Sequence, residues 1–160
     1  MNLSNESKPQ TKLAYGKQWI SDADIAAVCE VLRGDWLTNG PAVKAFENAL
    51  TAACGAKHAI ACSSGTAALH LAMLVLDIGP RHTGVTSPLS FIASANAFAY
   101  VGARPNFVDI DPATRNLSVP GLKHYLQTRP APAVVTPVSF SGVPAALPEI
   151  HALARQTGFK

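Results

Sequence analysis

The sequence predicts an α/β layered fold, and three observations support that prediction. Segments with apolar residues at helical spacing alternate with short, mostly apolar segments of strand length. Gly, Pro, Ser and Thr residues stand at the junctions between these segments, where helices begin and end. Hydrophobic residues make up 48% of the 160 positions, which is enough apolar side chain for a core. Such alternation is typical of a parallel sheet covered by helices.

The first helix is predicted to begin after Ser21, whose hydroxyl can cap it, and to end at Gly34. Asp22 and Asp24 suit the positive end of that helix. Residues 1–14 are polar and are predicted to be a flexible extension. The apolar face of the helix, which we expect to be buried, consists of Ile25, Val28, Cys29 and Leu32.

A second helix is predicted from Pro41, a residue favoured at the first helical position, to Gly55. Its expected buried face consists of Phe46, Ala49, Leu50 and Ala53. The next segment, residues 57–62, has the apolar character of a short strand and leads into a Ser-Ser-Gly-Thr turn at residues 63–66.

The rest of the chain continues the alternation. Helices are predicted at residues 66–76, 91–101, 119–126 and 147–156, and strands at residues 84–87, 105–110 and 133–138. Gly158 is placed to end the last helix, so Phe159 and Lys160 are expected to be the first residues of a further strand. On this basis we expect the chain to be a fragment of a longer protein.

Charge and cysteine usage exclude several functional classes. Charged residues are only 14% of the chain, against about 25% in an average domain, so we expect more chain or another subunit to cover part of the surface. The net charge of +3 is spread without a run of three basic residues, unlike a nucleic-acid-binding surface. Cys29, Cys54 and Cys62 form an odd set without metal-ligand spacing, which predicts reduced thiols and no metal site.

The sequence offers no signal for export or for membrane insertion. The polar amino end has no apolar leader segment, and the most apolar stretch, residues 67–76, contains His70 and is too short to cross a bilayer. Together with the unpaired thiols, this predicts a cytoplasmic protein. The five histidines are dispersed and none lies in a recognisable nucleophile context, so a Ser-His-Asp enzyme is not indicated.

The strongest chemical signal is the turn at residues 63–66, between a predicted strand and a predicted helix. Free backbone N–H groups and the helix dipole at such a turn attract a phosphate, and Gly65 leaves room for close approach. Thr66 adds a hydroxyl. The same residues also serve as an ordinary helix start with a Ser or Thr cap, so both interpretations stay open.

Other candidate residues lie on loops. Phe91 follows a predicted strand at the edge where α/β sheets bind ligands, so its ring could stack on a planar cofactor or simply fill the core. Asp109 and Asp111 could provide acid–base chemistry, but an Asp before Pro is more often a turn residue. Trp36 lies on a predicted loop with Thr, Asn and Gly residues, where a large aromatic ring is typical of a recognition surface or of interface packing.

Taken in order, several of these segments resemble the DegT/StrS-type nucleotide-sugar aminotransferases, which are pyridoxal-phosphate (PLP) enzymes of the aspartate-aminotransferase fold type. The resemblance runs from Tyr15 to Lys160, and is greatest to members that act in pseudaminic acid synthesis. The segments that carry it are residues 15–18, 35–41, 46–47, 63–69, 87–96 and 109–112. It implies that the chain is the amino-terminal part of a three-layer αβα PLP-transferase large domain.

The resemblance also assigns roles to individual residues. Gly65 and Thr66 match the turn that binds the cofactor phosphate, and Phe91 matches the aromatic residue that stacks on the pyridine ring. In the family, a further set of positions faces the nucleotide-sugar or a neighbouring subunit. These positions match Tyr15, Asp35, Trp36, Leu37 and Thr38. The implied reaction is amino transfer, with glutamate as the expected donor, to a 4-keto-6-deoxy UDP-sugar in a homodimer.

The resemblance also shows what these 160 residues do not contain. The lysine that forms the Schiff base and the aspartate that pairs with the pyridine nitrogen match positions beyond residue 160, so no catalytic residue is assigned. Residues 137–142, Pro-Val-Ser-Phe-Ser-Gly, depart from the relatives, which carry a His and then Tyr or Gly there. The alternative function is a non-catalytic remnant or binding module that retains cofactor-phosphate or nucleotide-sugar binding.

The implied fold has a consequence for residues 57–62. In the relatives, strands that come later in the chain lie beside the strand at this position, so here it would have no ladder partner. Each unpaired buried backbone group costs about 1–3 kcal/mol, against a typical total stability of about 5–15 kcal/mol. We therefore expect the isolated chain to be unstable, to aggregate or to rearrange.

Overall fold

The computed structural model describes residues 16–160, which form two compact units. The amino-terminal unit comprises described residues 16–61, and the carboxyl-terminal unit comprises residues 62–160. The predicted extension at residues 1–14 lies outside the described residues, as does Tyr15.

The amino-terminal unit contains two helices whose ends follow the local sequence signals. Helix α1 spans Asp22–Arg33, and Ser21 and Asp24 form a reciprocal capping box at its start. Helix α2 spans Pro41–Cys54, with Pro at its first position. Gly55 ends α2 with a φ of 69°, a left-handed conformation that glycine adopts without strain. The predicted boundaries of both helices are confirmed.

The predicted burial of these two helices is wrong for the residues that the structure describes. Neither α1 nor α2 has a buried residue, and Phe46 is 56% exposed. The apolar periodicity identifies the face that can be buried, but burial requires a partner surface. Within residues 16–61 there is no sheet or third helix to provide one.

The predicted strand at residues 57–62 is also not observed. This segment is irregular, and it is attached to α2 by a hydrogen bond of 3.0 Å from the Ala61 N–H to Glu47 Oε1. Glu47 in turn lies 3.5 Å from the Lys44 amine. Strand geometry needs a neighbouring ladder, and none of the described strands pairs with this segment.

The carboxyl-terminal unit contains a parallel three-stranded sheet. Strands β1 (Thr83–Thr86), β2 (Arg104–Phe107) and β3 (Val134–Thr136) are arranged in the order β2-β1-β3. Val85 in the central strand is opposite Asn106 on one side and Val135 on the other. The helices are α3 (Gly65–Val75), α4 (Ala93–Tyr100), α5 (Val119–Thr128) and α6 (Leu147–Thr157), with a short 3₁₀ turn at Phe140–Gly142.

The helices cover both faces of this sheet. Val134 packs with residues of α3 and α4, whereas Val135 packs with residues of α5 and α6. Successive residues of a strand point to opposite faces, so α3 with α4 and α5 with α6 form the two outer layers. The predicted α/β fold with three αβα layers is confirmed in this unit.

Close packing at β1 depends on a glycine. A Cβ at Gly84 would clash with the ring of Phe98, which is fully buried in α4. Gly84 pairs with Val134, so it faces the same layer as α3 and α4. The absence of a side chain at residue 84 therefore lets the Phe98 ring lie directly on the sheet.

Residues 159 and 160, which are predicted to begin a further strand, are not assigned to a strand but form backbone hydrogen bonds beside β3. The Val135 N–H donates to the Lys160 carbonyl and the Lys160 N–H donates to the Ala133 carbonyl, each at 2.9 Å. Phe159 is buried in the core with α5 and α6. Gly158 ends α6 with a φ of 85°, which directs the chain from the helix to the sheet.

None of the helices formed by the described residues is long and apolar enough to cross a membrane.

Candidate functional site

The turn before α3 combines a helix cap with free backbone donors. The Ser64 hydroxyl accepts a hydrogen bond of 3.1 Å from the Ala67 N–H, and the Ser64 carbonyl accepts one of 3.0 Å from Ala68. The N–H groups of Gly65 and Thr66 have no acceptor among residues 16–160. The capping interpretation is therefore confirmed, and it leaves two donors at the positive end of the helix.

Gly65 is not required by the packing of the described chain. A Cβ at this position would meet no atom within 4 Å, and the residue does not have a positive φ. A side chain at residue 65 would instead project into open space beside the cleft that Gly65 lines. The glycine thus keeps free a space in which an anionic group can approach the two N–H donors.

This space belongs to an open cleft of about 480 Å³ between α3 and α4. Its lining includes Gly65, Thr66, Leu69, Phe91, Ala93 and Ser94. All of these side chains are neutral, so the first residues of the two helices supply the positive potential in the cleft. The structure therefore places the predicted phosphate turn and the predicted stacking residue at one site.

The Phe91 side chain is available to a ligand. It is 75% exposed, whereas Phe98 on the same segment is fully buried. The reason is that α4 begins at Ala93, two residues later than the predicted helix start at Phe91. Phe91 therefore precedes the helix and does not share its buried face, which contradicts the core-filling interpretation.

The loop containing Phe91 lies at the carboxyl edge of the sheet. Thr86, the last residue of β1, donates its hydroxyl proton to the Thr136 carbonyl at 2.8 Å. This bond joins the ends of β1 and β3, so the loops at residues 87–91 and 137–142 leave the sheet at neighbouring points. That edge is the usual ligand-binding edge of an open α/β sheet.

Asn116 holds the second of these loops, and it was not singled out from the sequence. This residue is buried, its side-chain amide donates to the carbonyls of Val143 and Pro144 at 3.0 Å each, and its Oδ1 accepts from the Phe140 N–H at 2.8 Å. These partners are 24 to 28 positions away in the chain. A local sequence pattern does not indicate hydrogen bonds between residues so far apart in the chain.

The two aspartates after β2 have local roles. Asp111 Oδ1 accepts hydrogen bonds from the Ala113 and Thr114 N–H groups at 2.7 and 3.1 Å, which is the geometry of an Asx turn. Asp109 Oδ1 accepts one from the Ile110 N–H at 2.8 Å. Neither aspartate lines the cleft beside Phe91. The structural interpretation of Asp111 is confirmed.

The loop at residues 35–38 belongs to the amino-terminal unit. Trp36 is 66% exposed, and Leu37 and Thr38 are exposed as well. Asp35 and Trp36 line a cleft of about 260 Å³ with residues of α1 and α2. A Cβ at Gly40 would lie 2.8 Å from the Trp36 Cβ, so the turn from Trp36 to α2 needs a glycine at residue 40. The loop thus exposes the Trp36 ring to solvent on a tightly packed turn.

No group of three or more His, Cys, Asp or Glu residues that could hold a metal ion is present in residues 16–160. Cys29, Cys54 and Cys62 are free thiols.

Comparisons with known proteins extend these observations. The model of the DegT/DnrJ/EryC1/StrS aminotransferase family matches residues 18–160. The spore coat polysaccharide biosynthesis protein SpsC of Bacillus subtilis is 40% identical over 146 residues, which are 91% of this chain and 37% of that protein. The UDP-4-amino-4-deoxy-L-arabinose–oxoglutarate aminotransferase of Shewanella sediminis is 33% identical over 154 residues, covering 96% of this chain and 38% of that protein.

A solved structure agrees with these matches. The crystal structure of NtdA from Bacillus subtilis, with the cofactor PMP bound, has 28% sequence identity and a TM-score of 0.78, covering 85% of this chain and 31% of that one. The chain spans little more than a third of the length of the curated relatives it matches, 37% and 38%.

Proposed function

Because the chain belongs to the DegT/DnrJ/EryC1/StrS aminotransferase family, we propose that it forms the cofactor-phosphate and ring-stacking part of a sugar aminotransferase. The aminotransferases of this family depend on PLP. The observation that carries the proposal is the cleft that brings Gly65, Thr66 and Phe91 together. When bound, PLP supplies a conjugated ring that accepts the electron pair released as a proton leaves the reacting carbon.

The residues of the cleft fit the two ends of this cofactor. The Gly65 and Thr66 N–H groups and the Thr66 hydroxyl would hold the phosphate, which is favoured at the positive end of α3. The exposed Phe91 ring would lie against one face of the pyridine ring, fix its plane and exclude water from that face. The chain's own residues thereby bind and orient the cofactor, and none of them is assigned a proton transfer.

The substrate part of the proposal rests on the relatives and on the loop at residues 35–38. A relative named for a UDP-linked 4-amino sugar and oxoglutarate supports a UDP-linked 4-keto sugar as acceptor and glutamate as donor. That the acceptor is a 4-keto-6-deoxy sugar stays a prediction from the sequence. Substrate contacts are proposed for Tyr15, Asp35, Trp36, Leu37 and Thr38. A role in pseudaminic acid synthesis, a cytoplasmic location and a homodimer stay predictions from the sequence.

Binding of PMP tests the cofactor part of the proposal. PMP has no aldehyde, so it does not react with surface lysines, and its binding can be measured by calorimetry or by ring fluorescence. Because the isolated chain is expected to be unstable, each sample is first shown by circular dichroism and gel filtration to be folded and not aggregated. We expect Phe91→Ala to raise the Kd of PMP about tenfold, because the aromatic contact area is lost. Since Phe91 is already exposed, the fold of the chain should be unaffected.

Ile92→Ala is the matched control. Ile92 is the next residue and is also exposed, but it does not line the cleft. We expect this variant to bind PMP as the unaltered chain does. Failure of the unaltered chain to bind PMP, or equal losses in the two variants, would contradict the proposed site.

A further inference from the structure

Ser94 is a buried polar residue to which neither the sequence nor the relatives gave a role. It is 8% exposed and lies in the first turn of α4, where its backbone N–H donates to the Phe91 carbonyl at 3.1 Å. Its hydroxyl has no hydrogen-bond partner among residues 16–160. Every fully buried side-chain polar atom in residues 16–160 has a hydrogen-bond partner. Since the Ser94 oxygen has none, it is not fully buried and remains in contact with open space.

The open space beside Ser94 is the cleft described above. Ser94 lines that cleft together with Gly65, Thr66 and Phe91. The residue as a whole is more than nine-tenths buried, but its unpaired hydroxyl oxygen stays accessible from the cleft. A ligand oxygen in the cleft would supply the hydrogen-bond partner that the described residues do not provide.

The position of Ser94 favours an anionic oxygen. Residues at the start of α3, Gly65 and Thr66, and at the start of α4, Ala93 and Ser94, line the same cleft. Two positive helix ends therefore face one space that has no charged side chain in its lining. A phosphate dianion gains from both ends, whereas the neutral parts of a pyridine ring do not.

We propose that the Ser94 hydroxyl donates a hydrogen bond to the cofactor phosphate, as a further binding residue in addition to Gly65 and Thr66. This inference rests on the proposed function and deepens it. The bond joins a neutral donor to a charged acceptor, a class that is stronger than a bond between neutral groups. Ser94 would thus connect α4, and with it Phe91, to the same phosphate that α3 holds.

The test compares two ligands that differ only in the phosphate, PMP and pyridoxamine. In Ser94→Ala, the Kd of PMP is expected to rise about tenfold, the loss typical of a hydrogen bond to a charged group. The Kd of pyridoxamine is expected to stay within about twofold of its original value. Ala is slightly smaller than Ser and favours the helix, so the variant should fold as the unaltered chain does.

Ser63→Ala provides the control, since Ser63 is exposed on the same turn as Gly65 but does not line the cleft. It should bind both ligands normally. If Ser94→Ala weakens both ligands equally, the hydroxyl contacts the ring and the phosphate assignment is wrong. If neither Kd changes while Phe91→Ala still weakens PMP, Ser94 has only a packing role and the inference fails alone. Absence of PMP binding by the unaltered chain would overturn the proposed function and this inference together.

Discussion

The two units of the chain differ in what their helices rest on. In the amino-terminal unit, α1 and α2 have regular caps and clear apolar faces, yet neither has a buried residue. In the carboxyl-terminal unit, α3 to α6 pack on both faces of a parallel sheet and form two buried clusters. The difference shows that local signals place helix ends in both units, whereas only the sheet provides a surface for burial.

The cleft belongs to the unit that has a core. Phe91 and Ser94 lie at the junction of β1 with α4, and Phe98 in α4 is fully buried. The loop with Trp36 and Leu37 belongs to the other unit and is exposed together with its helices. The proposed cofactor site and the exposed loop proposed to contact substrate therefore lie on differently supported parts of the chain.

The largest expected effect comes from removing a core aromatic residue. Phe98→Ala should lower the free energy of unfolding by about 3–5 kcal/mol, because a large buried side chain is lost and a cavity remains. Amide hydrogen exchange in β1 should then be at least about a hundredfold faster. Phe46→Ala, the same change on the exposed face of α2, should leave exchange in β1 unchanged. Equal effects of the two substitutions would remove the distinction between the units.

A smaller effect is expected at the buried amide that holds the loop after β3. In Asn116→Asp, the contact with the Phe140 N–H can persist, but the Val143 and Pro144 carbonyls lose their donor and face a carboxyl oxygen. The expected loss is about 1–3 kcal/mol. The measurement is protease cleavage within residues 139–144.

Asn48→Asp in exposed helix α2 is the matched control for this substitution. It makes the same chemical change where water can solvate the carboxylate, so it should not alter cleavage of residues 139–144. Unchanged cleavage in Asn116→Asp as well would mean that Asn116 does not hold this loop.

Helix positions could be predicted from the sequence because their determinants are local. Ser21, Pro41 and Gly158 each act through neighbours within one helical turn, and all three lie at the predicted helix ends. The strand predicted at residues 57–62 is not observed, because a strand depends on distant partners that a local pattern does not reveal. The same reason explains why the apolar faces of α1 and α2 were wrongly expected to be buried.

The candidate site could be predicted in part. Gly65, Thr66 and Phe91 belong to ordered segments of a family resemblance, and the structure places them at one cleft. Ser94 could not be identified, because its significance is an unpaired hydroxyl that becomes apparent only when α3 and α4 are packed together. Asn116 could not be identified from the sequence either, because its hydrogen-bond partners are distant in the chain.

The smallest expected effect concerns the cap of α1, where order in the amino-terminal unit depends on local bonds. Asp24 Oδ2 accepts hydrogen bonds from the Ser21 N–H at 2.7 Å and from the Ser21 hydroxyl at 2.8 Å. The bond from the backbone N–H, followed by that from the hydroxyl, lowers the pKa of Asp24 below its ordinary value of 3.8. A lowered pKa means that the ionised carboxylate stabilises the helix start at neutral pH.

The sign of the pH dependence follows from this shift. The stabilisation is fully present above the pKa of the unfolded chain and is lost as the pH falls through the lower pKa of the folded state. NMR titration of the Asp24 carboxyl should give a pKa below 3.8, and Ser21→Ala should raise it only part of the way back, because the stronger backbone bond remains. A full return in Ser21→Ala would mean that the hydroxyl, and not the backbone N–H, is the main cause. Because Asp24 is exposed, neither protonation of Asp24 nor Ser21→Ala should alter hydrogen exchange in β1. This result would separate local order in the amino-terminal unit from core stability in the carboxyl-terminal unit.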